Sequence, residues 1–430
     1  MKFEPLLSII IPTHNRCKLL SKNLEALCAQ DWMEDKFEVI VVADACEDDT
    51  IQTVASFSGN RRYRLEVISH KGRNAGLSRN LGSSKARGRI ILFLDDDIIA
   101  GPNLAKSHIA SQDGNTVVLG YSKPMVPDKP SWWQIGANLW WEDCFSEMRR
   151  DDHRFGYRDF CAGNVSMSRN LFFEAGKFDE TFCGRLEDYE LGLRLLKMGA
   201  KFRFAPEALG FHFENTNLQT WLFRIWQDGI GDMKIGERHP EMRNEIFAGF
   251  DTPPEPWPKT RKIIRRLAFS MPQNGNRIKR LLLKTALFCE YMKFRGFYQR
   301  IVNALREHQY WSGVASKIGN WHSMYSWLQE GPYPQPVAFD APVVDLVQQE
   351  VLNIPDEILE RASVLGLRLT INGSEILTIP VVPGCEPITR KHIDRYLYES
   401  MKNRFLPEFA YHMICSAEGG NLKFLYNSLT

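Results

Sequence analysis

Five consecutive apolar residues, Ile90–Leu94, run directly into three aspartates, Asp95-Asp96-Asp97. An unbroken apolar run this short reads as a strand buried on both faces, and such strands belong to parallel sheets covered by helices. The chain before it repeats the pattern. Residues 6–11 (LLSIII) stop at Pro12, residues 37–43 (FEVIVVA) stop at Asp44, and residues 64–68 (RLEVI) form a third run. Between them, residues 16–30 carry Leu19, Leu20, Leu24 and Leu27 at helical spacing, and residues 74–87 suggest another helix. Strand and helix alternating through short loops predicts an α/β doubly wound sheet. In such sheets ligands bind at the carboxyl ends of the strands. Thr13-His14-Asn15, Asp44 and Asp95–Asp97 all lie at such ends.

Composition narrows the function classes. With 44% hydrophobic and 25% charged residues among 430, the chain has ordinary globular usage and room for two or three domains. Lys+Arg of 54 against Asp+Glu of 52 leaves +2, which argues against a basic coat for nucleic acid. Nine cysteines, an odd count without any C-x-x-C pair, point to a reducing compartment rather than a disulfide framework or zinc knuckle. MKFEPLLSIIIPTHNR lacks the pattern of a secretory signal, and no stretch of about 20 apolar residues occurs. The expected location is cytoplasmic, with contact at the inner membrane face left open.

Charge is unevenly spread. A proline-rich segment, TPPEPWP (252–258), precedes residues 259–300, which hold twelve Lys/Arg and one acid, Glu290. A second proline cluster (Pro332, Pro334, Pro336, Pro342) precedes an acidic segment: residues 331–430 carry eight Lys/Arg against twelve Asp/Glu. These shifts place domains at 1–220, 221–330 and 331–430. In the last, LRLTINGSEILTIPV predicts a β-hairpin turning at Asn372-Gly373. Thr389 caps a helix with Ile393, Tyr396, Leu397 and Met401 on one face. The basic stretch has two readings, a surface for anionic lipid or a face that is solvated or packed on the acidic segment. Trp132-Trp133 and Trp140-Trp141 shape an acceptor cleft or fill the core.

Three features carry chemistry. Carboxylates one residue apart, Asp95 and Asp97, can share a hard divalent cation whose other ligands are phosphate oxygens; the alternative is a solvated acidic turn. Residues 71–88, KGRNAGLSRNLGSSKARG, combine four glycines with Arg79 and other basic residues, as suits a diphosphate. Glu187-Asp188 stands before a helix at Tyr189–Met198, where the helix dipole alone favours acids, or where one acid acts as general base. His212 is a core histidine or a third metal ligand.

Taken in order, IPTHNR, Asp48–Thr50, RNAGLSRNLGSSKARG, FLDDD, AGNVSMSRNLF, GKFDETF, EDYELGLRLLKMG and the closing Ala205–His212 resemble a family 2 glycosyltransferase. The resemblance covers about residues 5–215. It implies a GT-A (Rossmann-like) catalytic domain at 1–220, to which the charge shifts and patterns beyond it add a helical basic extension at 221–330 and a small α+β accessory domain at 331–430. It also implies inverting transfer from a nucleotide-diphosphate sugar, UDP-linked first, with Mn²⁺ or Mg²⁺. The acceptor is carbohydrate or lipid-linked, as in bacterial polysaccharide, lipid-linked oligosaccharide or glycoconjugate synthesis.

By that resemblance Pro12, Thr13 and Asn15 line the nucleotide pocket, Asp44 lies near base or ribose, and Arg79 faces the phosphates. Asp95 and Asp97 bind metal, with His212 as a ligand in some members, and Asp96 contacts ribose or sugar. Gly163 and Asn164 form the sugar-side loop, Glu187 binds hydroxyls, and Asp188 is the base. The chain departs from the family pattern at Ala43–Cys46, Gly176-Lys177 and Arg185-Leu186, which bear on base and sugar identity. Two other classes remain. A nucleotidyltransferase on a related sheet is disfavoured by the missing lysine-containing Gly-rich loop after the first strand. A non-catalytic sugar-binding or scaffold protein is disfavoured by Asp95, Asp97 and Asp188 standing together.

Overall fold

The computed structural model of the chain describes residues 5–31, 36–57, 63–72, 74–182, 184–214, 216–247, 258–270, 276–331, 338 and 340–400. Two compact units emerge. The larger comprises residues 1–150, 155–333 and 382–386, the smaller 151–154, 334–381 and 387–430.

The larger unit is built on an eight-stranded mixed sheet. Its strands are β1 (Leu7–Thr13), β2 (Phe37–Asp44), β3 (Arg64–His70), β4 (Ile90–Leu94), β5 (Ile98–Ala100), β6 (Thr116–Pro124), β7 (Asn164–Ser168) and β8 (Lys201–His212). They lie in the order β3-β2-β1-β4-β7-β6-β8-β5. The first four are parallel, as the apolar runs predict. β7 then runs antiparallel to β4 and β6, and β5 antiparallel to β8. The sheet is therefore mixed, not uniformly doubly wound. β5 is three residues long, too short for a hydrophobic period to reveal.

Both sheet faces are covered, which explains the continuous apolar strands. Leu7, Ile9 and Ile11 point to one side and pack with Leu20, Leu24 and Leu27 of the helix Cys17–Cys28. Ile10 points to the other and joins Phe93, Phe160, Phe172 and Leu191. The helix Ala75–Lys85 lies so close to β1 that a Cβ at Gly82 would come within 2.5 Å of Ile10 Cγ2. Glycine here is a packing requirement.

The helices from Leu218 to Gln329 belong to the same unit. Leu218–Arg238 crosses Arg295–Ile318 at two facing glycines. A Cβ on Gly229 would fall 2.2 Å from Tyr310 O, and one on Gly313 2.1 Å from Trp226 O. Nearby, Glu307 is buried and accepts from Arg265 (2.6 Å), Arg261 (3.1 Å) and the Trp311 indole (2.9 Å).

In the smaller unit, β9 (Val343–Asp345) pairs parallel with β10 (Leu367–Ile371), which pairs antiparallel with β11 (Ser374–Ile379). Asn372 and Gly373 both take positive φ, 49° and 77°, as the expected two-residue turn requires. The helix Arg390–Ser400 packs through Ile393, Tyr396 and Leu397; Met401 lies outside the described residues. Among the described residues, no helix is long and apolar enough to cross a membrane.

Candidate active site

The parallel strands end around one cleft of about 520 Å³, within the range of small-molecule sites. Strand topology brings its walls together. Thr13 and Asp44 close β1 and β2, and Asp95–Asp97 follow β4. Because β7 runs antiparallel to β4, its first residue, Asn164, lies opposite Leu94, and Gly163 accepts the Asp95 N–H at 2.9 Å. His212 ends β8 and pairs with Ile98, which sets it beside Asp97.

Arg79 organises the floor. It sits one turn into the helix capped by the Asn74 side chain, and its guanidinium is buried. One terminal nitrogen donates to Asp95 Oδ1 at 2.8 Å, the other to Glu187 Oε1 at 3.0 Å. A single fork thus joins the acidic turn after β4 to the helix Glu187–Lys197 on the opposite wall. Asp188 follows Glu187 in the first turn of that helix, entered through Leu186 in a left-handed conformation (φ 69°). That conformation is costly for a branched side chain and aims the two acids into the cleft. Burial pushes the Asp188 carboxyl up to about 7; Glu187 adds to the rise, while Arg79, Arg185 and the Tyr189 N–H oppose it.

The acidic turn is braced from β1. The Thr13 hydroxyl donates to Asp96 Oδ2 at 2.7 Å, and Arg16 donates to Asp96 Oδ1 at 2.9 Å and Asp97 Oδ2 at 2.6 Å. Burial pushes Asp96 up to about 6, against the opposing charge of Arg16. Burial also raises Asp97, with His212, whose Nε2 is 3.8 Å from Asp97 Oδ1, opposing. Asp44 accepts the Asn74 N–H at 2.8 Å and lies 3.6 Å from His70 Nε2.

Of the residues singled out in the sequence, Pro12, Thr13, Asp44, Arg79, Asp95, Asp96, Asp97, Gly163, Asn164, Glu187, Asp188 and His212 line this cleft. Asn15 is not among its lining residues; it is exposed at φ 52°, its Oδ1 accepting from the Glu47 N–H. Two others line the cleft with side chains already committed. Asp96 has both oxygens held by Thr13 and Arg16. The Asn164 amide bonds His108 Nε2 (2.9 Å) and Ala208 O (3.0 Å). Gly163 is tightly placed: a Cβ there would lie 3.0 Å from Asp95 Oδ2 and 3.0 Å from Ile98 Cδ1.

The cleft also holds residues that local pattern did not expose. Arg16 was legible only as the last letter of IPTHNR. Glu214 paired with Arg224, and Gln227, arrive from beyond the fourth parallel strand, the latter two on the helix Leu218–Arg238. Arg185, paired with Asp228 of that helix, also lines the cleft. The Trp pairs divide: Trp133 is buried in a helical core, while Trp141 lines the cleft with its ring 6.4 Å from that of His212.

Among the described residues no three His, Cys, Asp or Glu side chains converge as a metal-ligand set. The donor chemistry nevertheless suits a hard divalent cation. Asp95 and Asp97 present carboxylates to one cleft beside the His212 imidazole, and Asp95 is 35% exposed. Mg²⁺ and Mn²⁺ commonly take two such ligands and complete their shell with phosphate and water.

Residues 8–174 match the model for Glycosyl transferase family 2. This segment is a family 2 glycosyl transferase domain. It contains β1 to β4, the acidic turn and the Gly163 loop. Asp188, Glu187, His212 and the helix bearing Gln227 lie beyond the matched residues. Among curated proteins, the chain is 29% identical over 268 residues to validoxylamine A glucosyltransferase of Streptomyces hygroscopicus subsp. jinggangensis, covering 56% of this chain and 63% of that protein. It is 28% identical over 238 residues to chondroitin synthase of Escherichia coli, covering 48% of this chain and 34% of that one. The chain thus spans less than two thirds of the curated relatives it matches here. A solved mannosyltransferase of Pyrobaculum calidifontis, in complex with GDP-Man and Mn²⁺, aligns with 71% of this chain and 86% of its own at 18% identity and a TM-score of 0.49.

Proposed function

We propose that the chain is an inverting glycosyltransferase. It moves a sugar from a nucleotide-diphosphate donor to a hydroxyl of a carbohydrate, free or lipid-linked. The observation that carries this is the buried Arg79 fork, which joins Asp95 of the segment matching family 2 to Glu187, with Asp188 on the next residue, just beyond that segment. One positive group beside the acidic turn and one elevated carboxyl across the same cleft suit opposite ends of a displacement at an anomeric carbon.

In this reading Pro12, Thr13 and Asp44 border the nucleoside, and Arg79 offsets charge gathering on the leaving diphosphate. Gly163 lies on the sugar side of the cleft, and Glu187 orients hydroxyls. Asp188 takes the proton of the attacking hydroxyl as the new bond forms; the nucleoside diphosphate departs from the opposite face, which inverts the centre. Asp95, Asp97 and His212 would hold Mn²⁺ or Mg²⁺, which neutralises diphosphate charge when bound.

Three measurements test this. A thermal-shift panel of UDP-, GDP- and other nucleotide sugars with Mn²⁺ is expected to give a selective rise in Tm. At a hundredfold excess over Kd, binding stabilises the native state by about 2.7 kcal/mol. No response to any nucleotide sugar would remove the donor assignment. Chelation by EDTA is expected to lower donor turnover at least ~100-fold, with Mn²⁺ or Mg²⁺ restoring it. His212→Ala should raise the Mn²⁺ concentration for half-maximal turnover without abolishing it. Full turnover in EDTA would remove the metal from the mechanism.

A further inference from the structure

The basic stretch 259–300 does not present its cations uniformly. Arg261 and Arg265 are tied to buried Glu307, and Lys279 donates to Gln309 at 2.5 Å. The exposed chemistry is concentrated further on, where the helix Asn276–Tyr291 turns into Arg295–Ile318 through Lys293 at φ 60°.

One side of this hairpin is core. Ala286, Cys289, Tyr298, Val302 and Leu305 pack with Trp133, Leu218 and Leu222. The other side is apolar and open: Phe288 is 57% exposed, Tyr291 82%, Phe294 50% and Phe297 63%, with Leu281 and Leu287 leading up to them. Lys284, Lys293 and Arg295 are exposed among these rings. The stretch's one acid, Glu290, is turned away, accepting the Trp132 N–H. A soluble surface rarely carries this many large apolar groups together. Rings at a helical turn rimmed by cations match the two components of interfacial membrane binding, apolar insertion and attraction to anionic headgroups.

We propose that the tip of this hairpin, Phe288 to Phe297 with Lys284, Lys293 and Arg295, inserts into the interface of an anionic lipid bilayer. Its connection to the cleft gives the contact a purpose. Trp132, whose ring meets Tyr298 edge-on at 5.2 Å, begins the helix Trp132–Met148. Nine residues along that helix, roughly 14 Å at 1.5 Å per residue, Trp141 lines the cleft. A hairpin seated in the headgroups would therefore hold the cleft near acceptors carried by lipid. This consequence rests on the proposed glycosyl transfer; the membrane contact itself does not.

Co-sedimentation of the full chain with vesicles of phosphatidylcholine and phosphatidylglycerol (3:1), and with phosphatidylcholine alone, tests the proposal. The chain is expected to pellet with the anionic vesicles. Phe288→Ser/Phe294→Ser/Phe297→Ser should weaken that partitioning at least tenfold. Lys284→Ala/Lys293→Ala/Arg295→Ala should weaken it further at low salt than at high salt, since a cation near an anionic surface contributes about fivefold. The proposal is overturned if the chain stays in solution with anionic vesicles, or if the serine variant pellets like the parent. It is overturned equally if sedimentation velocity shows a dimer that the serine variant dissolves, because a second copy then covers this face. Nucleotide-sugar thermal shifts, run in parallel, separate the two accounts. Vesicle binding lost with donor binding intact reports on the hairpin, and the reverse reports on the catalytic assignment.

Discussion

Asp188→Asn is expected to lower turnover about 10³-fold while leaving donor Kd within a few-fold of the parent, because general base catalysis commonly supplies 10²–10⁴. The substitution keeps shape and removes only the capacity to take a proton. As the proposed base, the same carboxyl should set the pH profile. With its titration pushed up to about 7, kcat/KM should rise with pH and level off above that value, and the limb should vanish from the residual activity of the variant. Stability should move the opposite way. The folded-state value lies above the ordinary 3.8, so the folded protein holds a proton that the unfolded chain releases between those values. The resulting penalty is absent below about pH 4, grows as pH rises towards 7 and is complete above it. Asp188→Asn should therefore unfold at higher urea than the parent at pH 8 and at similar urea near pH 4. Unchanged turnover in the variant would remove Asp188 from the chemistry. A variant less stable than the parent at pH 8 would contradict the elevated carboxyl.

Arg79→Ala is expected to have the largest structural effect of any substitution in the cleft. The guanidinium side chain is 7% exposed and bonds Asp95 and Glu187 at once. Its loss leaves two facing carboxylates without a partner, and removing one member of a buried ionic set typically costs about 3 kcal/mol or more. The urea midpoint should fall accordingly, and donor binding should weaken along with it. Arg79→Lys should recover little of either, since an ammonium cannot bridge both walls as the planar fork does. A neutral effect of Arg79→Ala on both readings would mean that the fork is incidental.

Much of this cleft was legible before any coordinates. Apolar runs that stop at polar residues reveal strand ends, and a parallel sheet gathers those ends on one edge. That is why Thr13, Asp44 and Asp95 could be brought together from local pattern. What stayed hidden depends on contacts between distant segments. Arg16 is one basic residue among many until β1 and β4 become neighbours and place it over Asp96 and Asp97. Gln227 and Arg224 belong to a helix whose hydrophobic spacing says that it packs, not where. Side-chain occupancy was hidden too. Asn164 reads as part of a sugar-side loop and does line the cleft, but strand pairing commits its amide to His108 and Ala208. Asn15 stands two residues after β1, and its left-handed turn carries it out of the cleft lining. The basic stretch had two readings, a lipid surface or a face solvated or packed on the acidic segment; Arg261 and Arg265 instead pair with Glu307 among their own helices, while Lys293 is exposed.

The central claim is that this cleft cleaves a nucleotide-diphosphate sugar at the anomeric carbon. The product released from the donor identified by the thermal-shift panel tests it most directly, followed by phosphorus NMR with Mn²⁺ present, for the parent and for Asp188→Asn. The account predicts accumulation of the nucleoside diphosphate by the parent and little or none by the variant. Accumulation of pyrophosphate or nucleoside monophosphate, or equal product from both proteins, would contradict it.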